Sequence, residues 1–400
     1  MSETQKHTKP NVPNLRFPGF EGEWESCNLG EIANLSKGVG ISKDQRSNDG
    51  NPCILYGELY TTYSTEVIYE VVSRTNLPAK GLVKSEANDV IIPASGETAI
   101  DISTARCVTK SDVYLGGDLN IIRLKGQDGK FFSYQLNGVR KKDIAKVAQG
   151  VSIVHLHGSD LETVKVYYPS RSEQEKVSGL LSLIDQRIAL QSKVIERYES
   201  LIRAIILRSQ TSSSRRKVYL HEILTERKEL NAQGYDICSV SVSKGVVNQV
   251  EYLGRSFAAK ETAHYHVVHK GDIVYTKSPT GEFPYGIIKQ SYLDTPVAVS
   301  PLYGVYEPID YLTGVYLHHF FCSPQNAKNY LHKLIQKGAK NTINITNQHF
   351  LDNYISIPES DTLQSIVATI ETLSKRIDLE KELLSIFIEQ KAYLMSNMFI

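Results

Sequence analysis

The sequence predicts an α+β protein in which two similar mixed α/β domains are separated by a pair of long antiparallel coiled-coil helices. The first observation behind this prediction is an internal repeat: Pro358 follows Pro169 by 189 residues, and Arg376 follows Arg187 by the same interval. The second is a long heptad pattern that closes each copy of the repeat. A repeat of this length makes the chain two copies of one unit, so the fold has to be interpreted as a pair.

The composition is that of an ordinary globular protein. The chain has 400 residues, of which 41% are hydrophobic and 22% are charged, and its formal net charge is +1. No uninterrupted apolar run approaches about 18 residues, so the sequence predicts no membrane span, and the polar start MSETQKHTKP lacks the apolar region of a secretory signal. The five cysteines lie far apart without a CxxC pair, which favours reduced thiols in the cytoplasm.

Changes in sequence pattern divide the chain into five predicted segments. These are an N-terminal domain at 1–168 with an arm at 1–26, a central helix at 169–208, a linker at 209–217, a C-terminal domain at 218–358 and a C-terminal helix at 359–400. Short β-branched and aromatic runs predict strands in both domains, for example at 89–92, 235–240 and 272–275. The runs at 89–92 and 272–275 also resemble each other, which extends the repeat into the domains.

Each predicted long helix carries a heptad seam, in which apolar residues alternate steps of three and four and so predict a partner helix. The predicted seam residues are Leu181, Ile184, Ile188, Gln191, Ile195, Tyr198 and Ile202 in the central helix and Ile370, Leu373, Ile377, Glu380, Leu384 and Phe387 in the C-terminal helix. Gln191 and Glu380 are equivalent in the repeat, and a polar seam residue fixes register and partner choice.

The two predicted helices have a length that suits a spacer. Each helix of about 38 residues would span about 57 Å, which suits two recognition sites one to two turns apart on DNA. Each helix follows its own domain, so the repeat predicts an antiparallel pair with one domain at each end. The same apolar heptads would also fit an ordinary helical core or a dimer interface.

The sequence lacks the familiar motifs of catalysis. It contains no GxxxxGK[ST] phosphate loop, no GxGxxG after a strand, no GxSxG elbow and no aromatic-ended Asn-Pro-Pro motif of amino-methyltransferases. His264, His266 and His269, and separately His155 and His157, have a spacing that can place rings on one face of a strand. No cysteine or carboxylate cluster completes a zinc site, so we expect neither a catalytic site nor a metal.

Basic, polar and aromatic residues between the predicted strands are candidate DNA contacts. Lys and Arg can hold phosphates, Arg, Asn, Gln and Ser can also read base edges, and Tyr adds a stacking ring or a hydroxyl donor. The candidates are Lys43, Gln45, Arg46, Tyr56, Tyr60, Ser95, Arg106 and Lys141 in the first domain and Ser243, Lys244, Lys277, Ser278, Lys337, Lys340 and Asn341 in the second. Each of them taken singly would also fit a solvated surface.

Several local motifs together indicate a family. They are the segment PNLRFPGFEGEW at 13–24, LGEI at 29–32, and the helix lead-in Pro-x-x-x-Glu-Gln at 169–174, which is eroded in its second copy at 358–363. Segments 183–188 and 373–377 are the two repeated copies of one part of the seam. With the doubled domain-and-helix layout, these motifs resemble the specificity (S) subunit of type I restriction–modification systems over nearly the whole chain.

The resemblance implies a subunit without an active site of its own, within a type I restriction enzyme and adenine-specific DNA methyltransferase complex. Each domain would read one half of an asymmetric bipartite site in double-stranded DNA, and the helices would set the gap between the halves. The helices would also dock two modification (methyltransferase) subunits, and the full complex would add two restriction (translocase and endonuclease) subunits. S-adenosylmethionine, ATP and Mg²⁺ are then expected on the partners, in the cytoplasm and away from any membrane.

The residues alone also leave room for a different class of protein. Two mixed domains on a coiled-coil spacer would suit a protein–protein scaffold that never contacts DNA. The near-zero net charge does not separate the two possibilities, because a neutral total can hide a basic face opposite an acidic one.

Overall fold

The computed structural model describes residues 11–150, 152–254, 261–337 and 343–400. The chain forms two compact units: unit 1 comprises Met1–Ser192 and Glu382–Ile400, and unit 2 comprises Lys193–Lys381. Each unit therefore contains one mixed domain and a segment of each long helix. The compact units differ in this respect from the predicted segments, in which the helices stood apart from the domains.

Mixed α/β domains and two long helices confirm the predicted fold class. The central helix covers Arg171–Thr211 and the C-terminal helix covers Ser360–Asn397. The central helix continues three residues beyond its predicted end because Ser209 is buried and its hydroxyl bonds the hydroxyl of Tyr316 at 2.9 Å. A strand begins at Arg215, so the predicted linker at 209–217 shortens to 212–214.

The helix segments pair in antiparallel fashion inside each unit. In unit 1, Nζ of Lys391 lies 2.7 Å from a carboxylate oxygen of Asp185, and the guanidinium of Arg187 lies 4.7 Å from the ring centre of Phe387. In unit 2, Nζ of Lys381 lies 3.3 Å from a carboxylate oxygen of Glu199. All predicted seam residues are buried or half-buried, as a paired seam requires.

A five-stranded sheet forms the centre of unit 1. Its strands, in spatial order, are Ala33–Lys37, Leu119–Leu124, Asp89–Pro93, Arg106–Val108 and Val67–Ile68. A second five-stranded sheet has the order Arg46–Ser47, Arg74–Thr75, Asn51–Ile54, Tyr114–Leu115 and Val83–Lys84. Two ribbons pair Glu25–Asn28 with Lys165–Tyr168 and Ser95–Gly96 with Val154–His155. The shorter helices are Leu29–Ile32, Lys43–Gln45 (3-10), Glu58–Thr61, Ala99–Ile102, Gly129–Asn137, Lys141–Val147 and Gly158–Glu162.

The largest hydrophobic core of unit 1 joins both ends of the chain. Trp24 packs on Phe131 with ring centres 5.6 Å apart, and Phe131 packs on Phe399 at 5.1 Å. Leu394 and Met398 belong to the same core, and the backbone N–H of Leu15 in the arm donates to the carbonyl of Asn397 at 2.9 Å. The first domain is therefore completed by the end of the C-terminal helix.

Unit 2 repeats the sheet order of unit 1 in four strands. These are Leu224–Glu226, Gly304–Pro308, Ile273–Tyr275 and Ile288–Gln290. Further strand pairs join Arg215–Tyr219 to Tyr354–Pro358, Cys238–Ser241 to Gly245–Asn248, His266–Val268 to Val297–Val299, and Gln336–Lys337 to Ile343–Asn344. The shorter helices are Leu220–Ile223, Gln249–Leu253, Tyr311–Phe321, Pro324–His332 and Asn347–Phe350.

The predicted strands match most of these elements, with one difference. The predicted strand at 235–240 begins only at Cys238, because the side chain of Asn231 accepts the backbone N–H of Tyr235 at 2.7 Å and holds a turn there. None of the helices in the described ranges combines the length and the apolar content that crossing a lipid bilayer requires.

Candidate nucleic-acid interface

The first candidate surface in unit 1 is the loop around the 3-10 helix Lys43–Gln45. Lys43, Gln45 and Arg46 are all exposed. The backbone N–H of Ser42 donates to Oε1 of Gln45 at 2.9 Å, which fixes the amide of Gln45. Nε of Arg46 donates to the carbonyl of Lys43 at 3.3 Å, and its Nη1 lies 3.5 Å from Glu58. The loop therefore holds two cations and an amide in a defined arrangement, as phosphate contacts require.

Two tyrosines of the same domain follow this loop in the chain. Tyr56 is half-buried against the second core of unit 1, whereas the side chain of Tyr60 is 41% exposed. Partial burial raises the pKa of Tyr60, so its hydroxyl remains a hydrogen-bond donor at neutral pH. Ser95 lies in the short ribbon opposite His155 and is half-buried. Tyr60 is thus the better placed of the two tyrosines for a ligand.

Two of the predicted DNA contacts, Arg106 and Lys141, are buried or half-buried inside the domain and do not lie on an exposed surface. Arg106 is only 8% exposed, and its guanidinium donates to the backbone carbonyls of Leu59, Tyr63 and Ala105. Burial lowers the pKa of Arg106, and burial with the nearby Arg106 lowers that of Lys141. The placement of Arg106 corrects the prediction: its charge cross-links backbone inside the domain. A basic residue within an apolar strand was the sequence signal for burial.

One exposed candidate surface of unit 2 is the hairpin between Cys238–Ser241 and Gly245–Asn248. Ser243 and Lys244 lie in its turn and are exposed. Nζ of Lys244 lies 5.3 Å from the ring centre of Tyr252, a residue that the sequence analysis missed. Hydrogen bonds to Ser241 and Ser243 lower the pKa of the Tyr252 hydroxyl. Hydroxyls, a cation and an aromatic ring are thereby brought together.

Other candidates of unit 2 are spread over separate elements. Lys277 is half-buried just after the strand Ile273–Tyr275, and burial lowers its pKa, while Ser278 is exposed. Lys337 ends the short strand Gln336–Lys337. Lys340 and Asn341 lie outside the described residues. These candidates therefore stay predictions without a described side-chain environment, apart from Lys277 and Ser278.

A basic ribbon was missed because its residues were assigned to the linker. Arg215, Arg216 and Lys217 are exposed and belong to the strand Arg215–Tyr219. Nζ of Lys217 lies 3.5 Å from the ring centre of Tyr354 on the paired strand. The equivalent ribbon of unit 1 begins with Glu25 and lacks these cations. The sequence changes from small polar residues at 209–214 to RRKVY at 215–219, and this change could have predicted the start of a strand.

The histidines that suggested a metal have protein partners. Nδ1 of His266 lies 3.1 Å from the carbonyl of Tyr303, and Nε2 of His269 lies 2.7 Å from Glu229. Within the described parts of the chain, no group of three or more His, Cys, Asp or Glu residues could hold a metal ion.

Each unit also exposes large apolar side chains on its long helices. They include Leu183, Leu190, Ile386 and Tyr393 in unit 1 and Leu201, Leu207 and Leu379 in unit 2, all between 45% and 68% exposed. In unit 1, intervals of seven residues, from Leu183 to Leu190 and from Ile386 to Tyr393, keep such residues on one side of each helix. We call these residues the outer stripe. Exposed apolar stripes of this kind mark protein contact surfaces.

Comparisons with known proteins agree with this architecture. The family model of the type I restriction modification DNA specificity domain matches residues 21–199. The S subunit of a type I restriction–modification system from M. genitalium is 15% identical, with a TM-score of 0.62 over 97% of this chain and 99% of that one.

A second solved structure is described as the structural basis of complex assembly and conformational transition of the type I R-M system. Its chain is 13% identical, with a TM-score of 0.53 over 97% of this chain and 99% of its own. At these identities the likenesses show the fold, and no curated protein matches. Residues 21–199 thus match the type I restriction modification DNA specificity domain, and this match confirms the resemblance that the sequence motifs indicated.

Proposed function

We propose that this chain is the DNA sequence-recognition subunit of a type I restriction–modification complex and has no catalytic activity of its own. The observation that carries the proposal is the specificity-domain match over residues 21–199, together with a second domain that repeats the same sheet order. A duplicated recognition domain suits a target that also has two parts. Each domain would read one half of an asymmetric bipartite site.

The exposed surfaces of the two domains support this assignment. Unit 1 offers Lys43, Arg46 and Tyr60, and unit 2 offers Lys244 and Tyr252. Lysine and arginine can fix a domain on the phosphates, while hydroxyl and amide groups can read base edges. The residues differ between the two surfaces, so the two half-sites would differ in sequence.

The outer stripe supports docking of partner subunits on the helices. It occurs in both units, on segments of both helices, so two copies of a helical partner could bind in similar ways. We assign these positions to two methyltransferase subunits, joined by two restriction subunits in the full complex. S-adenosylmethionine, ATP and Mg²⁺ would be bound by these partners, and the helices would set the gap between the half-sites in cytoplasmic DNA.

Footprinting of the chain with its modification subunits tests the proposal. We expect two protected patches separated by an unprotected gap, and affinity that falls with salt in proportion to the phosphate contacts. Lys244→Gln should weaken only one patch. The matched control is Lys270→Gln, because Lys270 of the same unit is already ion-paired to Asp294 at 2.6 Å. One continuous footprint would contradict recognition by two independent domains. Equal loss of protection in both patches with Lys244→Gln would contradict it as well.

The outer stripe also suits one alternative, a protein scaffold that does not contact DNA. Retention of labelled duplex DNA by the purified complex at low and moderate salt separates the two functions. A scaffold would bind its protein partners and retain no DNA at either salt concentration.

A further inference from the structure

A cavity of about 500 Å³ in unit 2 places reactive side chains next to Ser243 and Lys244, two of the candidate DNA contacts. Lys289, His318, His319 and Cys322 line it from the domain. Ile202 of the central helix and Ile377 of the C-terminal helix, both seam residues, close another side. A thiol, an amine and two imidazoles thus face a space large enough to admit a small molecule.

Lys289 is a buried cation that lies beside a sulfur atom. Its side chain is 6% exposed, in the strand Ile288–Gln290, and Nζ donates to Sγ of Cys322 at 3.1 Å. Among the described residues, no carboxylate forms an ion pair with Lys289. A buried ammonium is stabilised by a nearby negative charge, and the sulfur of Cys322 is the group placed to carry one.

His318 brings a second donor towards the same sulfur. The backbone N–H of Gln290 donates to Nδ1 of His318 at 3.0 Å, which leaves the proton of the neutral ring on Nε2. Nε2 lies 3.6 Å from Sγ of Cys322. Burial lowers the pKa of His318 well below its usual range, so the ring is neutral at pH 7. Positive and N–H groups around a sulfur favour the thiolate, which is the reactive form of cysteine.

The other cysteines lie in environments that oppose ionisation. Burial raises the pKa of Cys53 and of Cys238 to about 11 and that of Cys107 to about 12. Burial also raises the pKa of Cys27. At neutral pH these four remain thiols, so the cavity in unit 2 is where this chain would react first.

We propose that Cys322 is an oxidation site for hydrogen peroxide or another small peroxide that enters the cavity. The thiolate attacks one peroxide oxygen, an S–O bond forms and the O–O bond breaks. Nζ of Lys289 gives its proton to the departing hydroxide, so the products are cysteine sulfenic acid, water and a neutral amine. Sulfur is oxidised by two electrons and the peroxide is reduced by two. Ser243 and Lys244 line the same cavity, but oxidation of Cys322 requires no bound DNA.

The test treats the full chain with hydrogen peroxide, traps sulfenic acid with dimedone and identifies the labelled cysteine by mass spectrometry. We expect Cys322 to be labelled first and Cys322→Ser to lose that label. Alkylation of Cys322 by iodoacetamide should slow at least tenfold at pH 7 in Lys289→Met and recover in Lys289→Arg. Lys270→Gln, an exposed lysine of the same unit, is the matched control and should alkylate like the wild type.

Two results would overturn the site. One is labelling of Cys322 no faster than that of half-buried Cys27, and the other is an unchanged alkylation rate in Lys289→Met. If Lys289→Met does not fold, competition between Cys322 and Cys27 of the wild type for limiting iodoacetamide at pH 7 decides. Faster alkylation of Cys322 supports the site, and equal rates reject it.

Discussion

The two units hold the same pair of helices by different chemistry. In unit 1 the helices are joined by a buried ion-pair cluster. Lys391 lies between Glu66 and Asp185, with Nζ 2.5 and 2.7 Å from their carboxylate oxygens. In unit 2 the helix-to-helix ion pair of Lys381 and Glu199 is exposed, and a cavity adjoins the seam. Equivalent architecture therefore does not require equivalent contacts.

The starts of the two helices differ in the same way. Glu173 is 1% exposed and forms a two-pronged ion pair with Arg16 of the arm, with both distances 2.8 Å. The amide of the fully buried Gln174 accepts the backbone N–H of Asp128 at 3.0 Å. At the equivalent positions of the C-terminal helix stand half-buried Thr362 and buried Leu363. The polar anchor of one copy is thus an apolar contact in the other.

This difference explains what the lead-in motif does. In unit 1 its Glu and Gln are turned into their own domain, where they fix the arm and the residues before the helix Gly129–Asn137. Erosion of the motif at 358–363 therefore removes internal anchors and leaves the helix start to hydrophobic packing. Buried polar groups demand defined geometry, so unit 1 should be the more sensitive to single polar substitutions.

Lys391→Met should have the largest effect. It keeps the apolar stem but leaves Glu66 and Asp185 as buried carboxylates without their cation, and breaking a buried pair costs about 4 kcal/mol. Trp24 is the only tryptophan of the chain and lies in the core of unit 1, so its fluorescence in urea reports this unit. The control Lys381→Met removes an exposed pair of unit 2 and should cost less than about 1 kcal/mol, measured by hydrogen exchange of unit 2. Equal costs would show that burial does not separate the two units.

Glu173→Ala should destabilise unit 1 by about 3 kcal/mol, because Arg16 loses its buried partner but can still reach water. The same tryptophan signal measures the change. Thr362→Ala, at the equivalent position in unit 2, should stay within about 0.5 kcal/mol by hydrogen exchange of peptides covering 360–381, since it breaks no ion pair. If both substitutions cost the same, the anchor role of the lead-in motif would be wrong.

The architecture was readable from the sequence because it rests on periodicity. Heptad spacing predicted Ile184 and Ile377 as seam residues, and both are buried. The repeated run at 272–275 predicted the strand of unit 2 that is equivalent to Asp89–Pro93 of unit 1. Such patterns depend on which face of an element is apolar, and this is local information.

The site residues were harder to predict because burial of a charge is a tertiary property. Arg106 looks like any basic residue until the carbonyls of Leu59 and Tyr63 are brought to it by the fold. The ribbon at Arg215–Tyr219 looked like a linker because its strand partner lies some 140 residues further along the chain. The seven-residue intervals of the outer stripe could have predicted it from the sequence. They were overlooked because the heptad pattern was assigned entirely to the seam.

Leu363→Ala should destabilise the start of the C-terminal helix by about 2 kcal/mol, since it empties a site that is 7% exposed. Hydrogen exchange of peptides covering 360–381 should show faster exchange in this variant. The matched change is Gln174→Leu, which gives unit 1 the leucine that unit 2 has at the equivalent position 363. It should speed hydrogen exchange around Asp128, because the backbone N–H of Asp128 loses its hydrogen bond to the Gln174 amide. An unaffected 360–381 segment in Leu363→Ala would mean that packing at Leu363 does not hold this helix.

Acid should destabilise unit 2 more than unit 1, by an amount of the order of 1 kcal/mol between pH 7 and pH 5. Burial, followed by the nearby Lys289 cation, lowers the pKa of His319 from its ordinary 6.5 to about 4. The unfolded chain therefore binds a proton below pH 6.5 that the folded chain takes up only near pH 4, so stability is full above 6.5 and is lost as the pH falls towards 4. Hydrogen exchange of unit 2 at both pH values measures this loss. His319→Gln should reduce the dependence and leave the part that comes from His318, whose pKa burial also lowers. His157→Gln, at an exposed position of unit 1, should leave the dependence unchanged. A slope that is the same in His319→Gln as in the wild type would assign the acid sensitivity to other groups.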